Sequence, residues 1–214
     1  MLMLNNRFLY GKIRIGFIPE ELPAFSSNQV RFYRRYSSFV FKSLAKTSFQ
    51  RFLNWMLTRE HIEKETIRVI QVKILPLRGK NGKGVAGKCN LAQGLIRIYP
   101  KTSKFCQLFR QKFGRKILHI YAKNRARAAL IHELLHLKYV EDEKTVRELS
   151  QKYFRVFTKR LYSVKFHAFC IHTMVFSSRI GKEASSLSNS DQFVATTELG
   201  QTRLRASGVS KLAL

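Results

Sequence analysis

Acidic residues are scarce in this chain: 13 Asp and Glu stand against 40 Lys and Arg in 214 residues, a formal net charge of +27. So basic a balance suggests a polyanionic neighbour, such as nucleic acid, a ribosome or an anionic membrane, and a merely solvated basic surface is an equal alternative. The few acids are unevenly placed. Five of them lie in one short segment: Glu133, Glu141, Asp142, Glu143 and Glu148.

Cysteine and long apolar runs are scarce as well. Cys89, Cys106 and Cys170 are scattered and form no C-x-x-C pair, which argues against a disulfide framework and for a reducing compartment. No uninterrupted apolar run approaches the ~20 residues of a membrane span. Polar residues at positions 5–7 interrupt the order that a signal peptide needs. We therefore expect a cytoplasmic protein without a membrane span.

The segment that holds the clustered acids also contains the pattern H-E-x-x-H, from His132 to His136. Residues i and i+4 lie on one face of a helix about one turn apart, so His132 and His136 can offer two imidazole nitrogens to one Zn²⁺. Glu133, on the same turn, can reach the open coordination position and act as general base on a zinc-bound water. The motif predicts a zinc metallohydrolase, with a peptidase as the preferred type.

The residues around this motif favour a helix. Strong helix formers occupy residues 125–131, Asn124 is a suitable N-cap, and Leu130, Leu134 and Leu137 form an apolar stripe. The His and Glu residues are polar insertions in this largely apolar helix, and buried polar groups need partners, which a metal would supply. Two core histidines that are hydrogen-bonded to neighbouring groups are the alternative.

The spacing of apolar residues changes along the rest of the chain, and these changes predict helices and strands. Apolar residues near helical spacing predict a helix over residues 43–56, and β-branched residues predict a strand over residues 67–77. A glycine-rich turn without the P-loop pattern follows, and then two short strands at 85–90 and 95–99. Helical patterns resume at residue 103, are interrupted at Gly114, and return before and after the H-E-x-x-H motif. The pattern predicts an α+β fold.

Arginine and tyrosine alternate near the N-terminus. Arg31, Arg34 and Arg35 are interleaved with Tyr33 and Tyr36. This combination suits phosphate contact together with base stacking, and so predicts a nucleic-acid surface. It equally suits an amphipathic element that docks on the domain.

Residues 46–163 resemble a minimal zincin metalloprotease domain in the order of their expected elements. These elements are a helix, a small sheet, the helix with H-E-x-x-H, a tight turn and a second helix. The residues His132 to Leu137 are similar to those of small SprT-like and minigluzincin-type proteins. The resemblance implies a small zincin-like domain, in which a short sheet packs on the active-site helix and flanking helices, with Zn²⁺ as the cofactor. The strand at 95–99 resembles the zincin edge strand, which implies that an extended protein or peptide substrate adds to it by β-augmentation.

Two segments lie outside the resemblance. Residues 1–45 are a basic, aromatic N-terminal arm. Residues 164–214 are a C-terminal extension, which we expect to be disordered from about residue 177, where Ser, Thr and Gly replace large apolar residues.

The resemblance implies a third protein ligand for the metal. In zincins with a tight turn it lies ten residues after the first His, a position that Asp142 occupies here. In gluzincins it is a Glu on the next helix, which would make Glu143 or Glu148 the ligand. Asp142 is the preferred candidate, and each of the three also has a structural interpretation: Asp142 as an N-cap, Glu143 as a partner of the helix dipole, and Glu148 as a solvent-facing residue.

Two other function classes stay open. Metal-dependent RNA hydrolases of the rRNA-maturation type have a similar His-x-x-x-His-Leu turn, and the basic charge fits RNA, but they have Gly where this chain has Glu133. A non-catalytic, basic nucleic-acid-binding protein with a vestigial site is the other class. SprT-like proteases of DNA–protein crosslinks combine H-E-x-x-H with nucleic acid, which implies by analogy a peptidase that acts near nucleic acid.

Overall fold

Helices and strands are both present in the part of the chain that the computed structural model describes, residues 10–16, 25–79 and 82–161. Its helices are α1 (Ser27–Leu44), α2 (Thr47–Arg59), α3 (Ser103–Tyr139) and α4 (Glu143–Leu161). Its strands are β1 (Ile13–Ile15), β2 (Val69–Val72), β3 (Leu77–Arg78), β4 (Gly84–Val85), β5 (Gly87–Asn90) and β6 (Leu95–Ile98). The α+β class predicted from the sequence is therefore confirmed.

Four strands form the main sheet, in the order β1-β2-β6-β5. The pairs β1–β2 and β2–β6 are parallel, whereas β5 is antiparallel to β6. Alternate residues of the two central strands are buried in the core: Ile70, Val72, Ile96 and Ile98. The strands β3 and β4 pair separately as a small antiparallel ribbon.

The main sheet has two edge strands, β1 and β5, and β5 is the one beside the H-E-x-x-H helix. We expected residues 95–99 to be the edge strand, and this was wrong, because β6 is paired on both sides. Along an antiparallel strand, the N–H and C=O groups of successive residues point alternately toward the paired strand and away from it. The Tyr99 N–H donates to the Ala86 carbonyl at 2.9 Å, so Ala86 faces β6 while Gly87 and Cys89 direct their main-chain groups to the outer edge.

Helix α3 is a hairpin of two helical arms. The Tyr121 ring centroid lies 4.8 Å from that of Phe109 and 5.6 Å from that of Phe105, although residues 12 apart in a continuous helix are separated by about 18 Å. The chain reverses at Gly114, whose φ of 82° and ψ of 164° are not helical. The predicted start of this helix at Asn124 was wrong, because Asn124 is buried inside the second arm. The arm from residue 115 to Tyr139 therefore carries the H-E-x-x-H motif without interruption.

A carboxylate ties together the ends of three helices. Glu60, the C-cap of α2, accepts hydrogen bonds from the hydroxyls of Tyr139 on α3 and Tyr153 on α4. Lys138 donates to the Glu60 carbonyl at 2.8 Å. Burial raises the pKa of Glu60, but the two hydroxyl donors and Lys138 outweigh it, so this pKa lies below its ordinary value. This hydrogen-bond network stabilises the turn between α3 and α4.

The described part of the predicted N-terminal arm is integrated into the domain. Residues 13–15 add β1 to the sheet, and α1 packs on α3 and the sheet. Helix α1 starts with a capping box, in which Ser26 accepts from the Gln29 N–H and the Gln29 side chain accepts from the Ser26 N–H. The predicted extension at 164–214 lies outside the described residues. Within the described part of the chain, no helix combines the length and the apolar character that a membrane crossing requires.

The hairpin geometry of α3 predicts a large stability loss on Gly114→Ala. The φ and ψ of Gly114 lie in a region that is essentially restricted to glycine, so a Cβ there costs about 1–3 kcal/mol. The control is Gly11→Ala, because a Cβ at Gly11 has open space and no positive φ. Urea unfolding should show the loss for Gly114→Ala only, and equal stability of the two variants would contradict the reversal.

Candidate metal site

Two imidazoles face each other on the second arm of α3. His132 and His136 are one helical turn apart, and their Nε2 atoms lie 3.2 Å from each other. Both rings are largely shielded, with side-chain exposures of 26% and 18%. The predicted convergence of this pair on one helix face is present.

A carboxylate from α4 completes a cluster of three potential ligands. The Oε2 atom of Glu143 lies 3.6 Å from His132 Nε2 and 3.4 Å from His136 Nε2. Glu143 is the first residue of α4, and the turn that delivers it is closed by a hydrogen bond of 2.8 Å from the Asp142 N–H to the Tyr139 carbonyl. Within the described residues, His132, His136 and Glu143 form the group whose ligand atoms all lie within 4.8 Å of one another.

The second nitrogen of each imidazole is also engaged. His136 Nδ1 lies 2.7 Å from the Val140 carbonyl, which can only accept, so this nitrogen carries a hydrogen. His132 Nδ1 lies 3.4 Å from Ser150 Oγ, whose hydroxyl donates to the Val146 carbonyl and therefore accepts from the ring. In the neutral rings, both Nε2 lone pairs then point into the cluster.

When both rings are neutral, three acceptor atoms thus converge without a donor among them. Burial lowers the pKa of His132, the Glu143 charge opposes this, and the pKa remains below its ordinary value, which favours the neutral ring. Zinc bonds of about 2.0–2.2 Å in a tetrahedral site place neighbouring ligand atoms about 3.3–3.6 Å apart. The observed separations of 3.2, 3.4 and 3.6 Å match this spacing. Two imidazoles and a carboxylate could therefore hold a zinc ion.

Glu133 packs against the edge strand β5 and interacts electrostatically with His136 and Glu143 of the cluster. It is 7% exposed, and the Cys89 backbone N–H donates a hydrogen bond to its carboxylate. Burial raises the pKa of Glu133 to about 7, whereas His136 and the Cys89 N–H oppose the rise and Glu143 adds to it. A Cβ at Gly87 would lie 2.6 Å from Glu133 Oε1 and 2.7 Å from its Cγ, so only glycine admits this close approach.

Asp142 and Glu148 lie outside the cluster. Asp142 is the N-cap of α4: its Oδ1 accepts from the Thr145 N–H at 3.0 Å, and this bond holds the pKa of Asp142 below its ordinary value. Glu148 is exposed beside a surface cavity that Lys152 and Arg155 also line. Both residues have the structural interpretations that the sequence suggested, and the geometry favours Glu143 as the third ligand.

The arginines and tyrosines of α1 separate onto different faces. Arg31, Arg34 and Arg35 are exposed. Tyr33 is 2% exposed and its hydroxyl accepts from the Ser103 N–H at 2.9 Å, and Tyr36 is partly shielded by the same packing. The predicted base stacking by Tyr33 was wrong, because this ring belongs to the core.

Sequence reasoning missed four groups at the site: Gly87, Cys89, Val140 and Ser150. Ser150 had a detectable signal, because it follows Glu143 by two helical turns on one face of α4. The other three act through backbone atoms or through a missing side chain, and no pattern in the sequence reports such roles.

No protein-family model matches this chain, and neither a search of curated proteins nor a search of solved structures returns a match.

The approach of Glu133 to β5 predicts that Gly87→Ala destabilises the fold. The added Cβ must displace a buried side chain, and overpacking of this kind costs about 1–3 kcal/mol. Gly84→Ala is the matched control in the neighbouring strand, because a Cβ there has nothing within 4 Å. Urea unfolding compares the stability of the two variants. If Gly87→Ala is as stable as its control, Glu133 does not pack against Gly87 of β5.

Proposed function

We propose that this protein is a zinc-dependent metallopeptidase in which His132, His136 and Glu143 hold the metal and Glu133 is the general base. The observation that carries the proposal is the convergence of two imidazole Nε2 atoms and a carboxylate oxygen at separations of 3.2–3.6 Å. Two imidazole lone pairs and a carboxylate oxygen that face one another in this way repel, and a metal cation between them would relieve the repulsion, while the other Glu143 oxygen, Oε1, pairs with Arg147 at 3.0 Å. The zincin-like character of the domain is part of the same proposal.

The composition of the cluster favours zinc. Imidazole nitrogen and carboxylate oxygen are both common zinc ligands, and three protein ligands leave a fourth position for water or substrate. Hydrogen bonds to the Val140 carbonyl and to Ser150 orient the two rings, a role that outer partners of metal ligands commonly have. Glu143, with half of its side chain exposed, leaves the cluster accessible from solvent.

Glu133 is the residue suited to proton transfer. A zinc ion held by the cluster would polarise the scissile carbonyl and acidify the attacking water. Glu133 takes the proton from that water and returns it to the leaving amine nitrogen. Contacts with the Cys89 N–H and with Gly87, which has no side chain, hold the Glu133 carboxylate against β5, and we assign both proton transfers to it there.

The outer edge of β5 supports a peptide as the substrate. Gly87 and Cys89 direct main-chain groups away from β6. The Cys89 N–H donates to Glu133, and an extended peptide would pair with the other main-chain groups of this edge. The substrate would then lie along the strand against which Glu133 packs. An RNA substrate makes no use of this edge, which is why we prefer peptide hydrolysis to the RNA-hydrolase alternative.

The metal proposal predicts one equivalent of zinc in the wild-type protein. Alanine at His132 or His136, or Glu143→Gln, should reduce zinc content and affinity sharply, since each change removes a ligand. Asp142→Asn, which retains an N-cap side chain, and Glu148→Gln are the matched charge controls and should keep the metal. Metal analysis after dialysis measures the stoichiometry, and competition with a chromogenic chelator measures the affinity.

Two outcomes would decide against this ligand set. Loss of zinc in Asp142→Asn with retention in Glu143→Gln would move the third ligand to Asp142. Unchanged zinc content in both histidine variants would remove the site altogether and leave a protein without a metal centre.

The catalytic proposal predicts that Glu133→Gln retains zinc but loses turnover by about 10²–10⁴-fold, because the amide keeps the shape of the side chain and cannot accept the proton. Cleavage of a quenched-fluorescence peptide library and of unfolded casein measures the loss. Asp142→Asn again serves as the control with near wild-type turnover.

The same assay separates the function classes. Cleavage of structured RNA with no cleavage of any peptide would favour the RNA hydrolase. Zinc binding without hydrolysis of either substrate class would contradict the proposed activity and favour a non-catalytic protein.

A further inference from the structure

Positive and negative charges are segregated along α3. The sequence has no Asp or Glu between Glu21 and Glu60, nor between Glu65 and Glu133. The acidic residues of the described chain therefore fall in residues 60–65 and 133–148. Glu60 is hydrogen-bonded to Tyr139, so both groups of acids lie at the end of α3 that carries the candidate metal site. The other end of α3 contains no Asp or Glu, because residues 103–132 have none.

That other end is the reversal of the α3 hairpin, here called the hairpin tip and defined as residues 110–116. It surrounds Gly114 with four exposed cations: Arg110, Lys112, Arg115 and Lys116. Lys116 and His132 are sixteen residues apart on one helical arm, which corresponds to about 24 Å. The hairpin tip is thus a concentrated positive surface, well separated from the acids of the candidate site.

Helix α1 adds a second row of cations beside the hairpin. The Phe39 ring centroid lies 5.0 Å from that of His119, which is three residues beyond the hairpin tip. Arg31 and Lys42 lie on the face opposite the buried side chains and are separated by eleven residues, or about 16 Å along the helix axis. The exposed cations of this helix are Arg31, Arg34, Arg35 and Lys42.

We propose that the hairpin tip and the outer face of α1 bind the phosphate backbone of duplex nucleic acid without sequence preference. A positive surface of this extent attracts a polyanion over a distance set by ionic strength. The buried Tyr33 offers no platform for base stacking, which favours the duplex over single strands. This surface is independent of the proposed peptidase activity.

A lipid bilayer fits this surface less well. Membrane-surface helices combine cations with large apolar side chains that enter the bilayer. In the described part of the chain, the exposed large apolar side chains are Ile15, Leu91 and Val140. None of them belongs to α1 or to the hairpin tip, where the partly buried Phe113 ring packs on Phe109, so the surface offers charge without a fully exposed apolar anchor.

The test is the salt dependence of binding to a fluorescently labelled, mixed-sequence DNA duplex, measured by anisotropy on the full-length protein. The wild-type protein should show a linear fall of log K with log salt, with a slope of about −0.9 for each phosphate contact. A variant with Arg110, Lys112, Arg115 and Lys116 changed to Gln should lose about 3–4 from this slope. Arg31→Gln, Arg34→Gln and Arg35→Gln together should lose about 2–3.

The control removes three exposed cations from α4, with Lys152, Arg155 and Lys159 changed to Gln. It should change the slope far less than either test variant, and zinc content and urea unfolding should show that all variants remain folded. An equal loss in the control would mean that net charge alone attracts DNA, which overturns the proposal. Binding to phosphatidylserine vesicles with no binding to duplex DNA or RNA would overturn it in favour of a lipid surface.

Discussion

The turn between α3 and α4 is the constraint on which the candidate site depends. Val140 has a φ of 40° and a ψ of −95°, a conformation that costs a β-branched residue about 1–3 kcal/mol. This strained residue directs its carbonyl to His136 Nδ1, and the same turn brings Glu143 to both imidazoles. The hydrogen bonds of Tyr139 and Tyr153 to Glu60 hold the two helices on either side of it. Strain maintained in this way is typical of sites where geometry serves function.

The arms of α3 connect two chemically different surfaces. At one end, Glu133 lies against the edge strand β5, beside the three potential ligands of a metal. At the other end, the reversal at Gly114 gathers cations that would be spread along a continuous helix. The two proposals together would put duplex nucleic acid at one end of the second α3 arm and cleavage of a protein substrate at the other.

Local patterns in the sequence were sufficient for the H-E-x-x-H helix, the strand near 95–99 and the α+β class, because these depend on periodicity and propensity within a few residues. They did not predict β1, and the single strand expected over residues 67–77 was wrong, because β2 ends at Val72 and Leu77 belongs to β3 in the separate ribbon. The third candidate ligand could not be predicted in the same way. Asp142 and Glu143 are adjacent and both acidic, and only the backbone angles of the turn decide that one caps α4 while the other faces the imidazoles. The edge strand and the burial of Tyr33 also depend on tertiary pairing, which periodicity does not encode.

The central claim is that the three converging acceptor atoms are a zinc site, and crystallography at the zinc absorption edge tests it most directly. We predict one anomalous peak bonded to His132 Nε2, His136 Nε2 and a Glu143 oxygen at about 2.0–2.2 Å, with Glu133 near the metal but not bonded to it. A peak coordinated by Asp142 instead of Glu143 would contradict the ligand set. The absence of any peak at these residues in crystals grown with zinc would show that they do not form a zinc site.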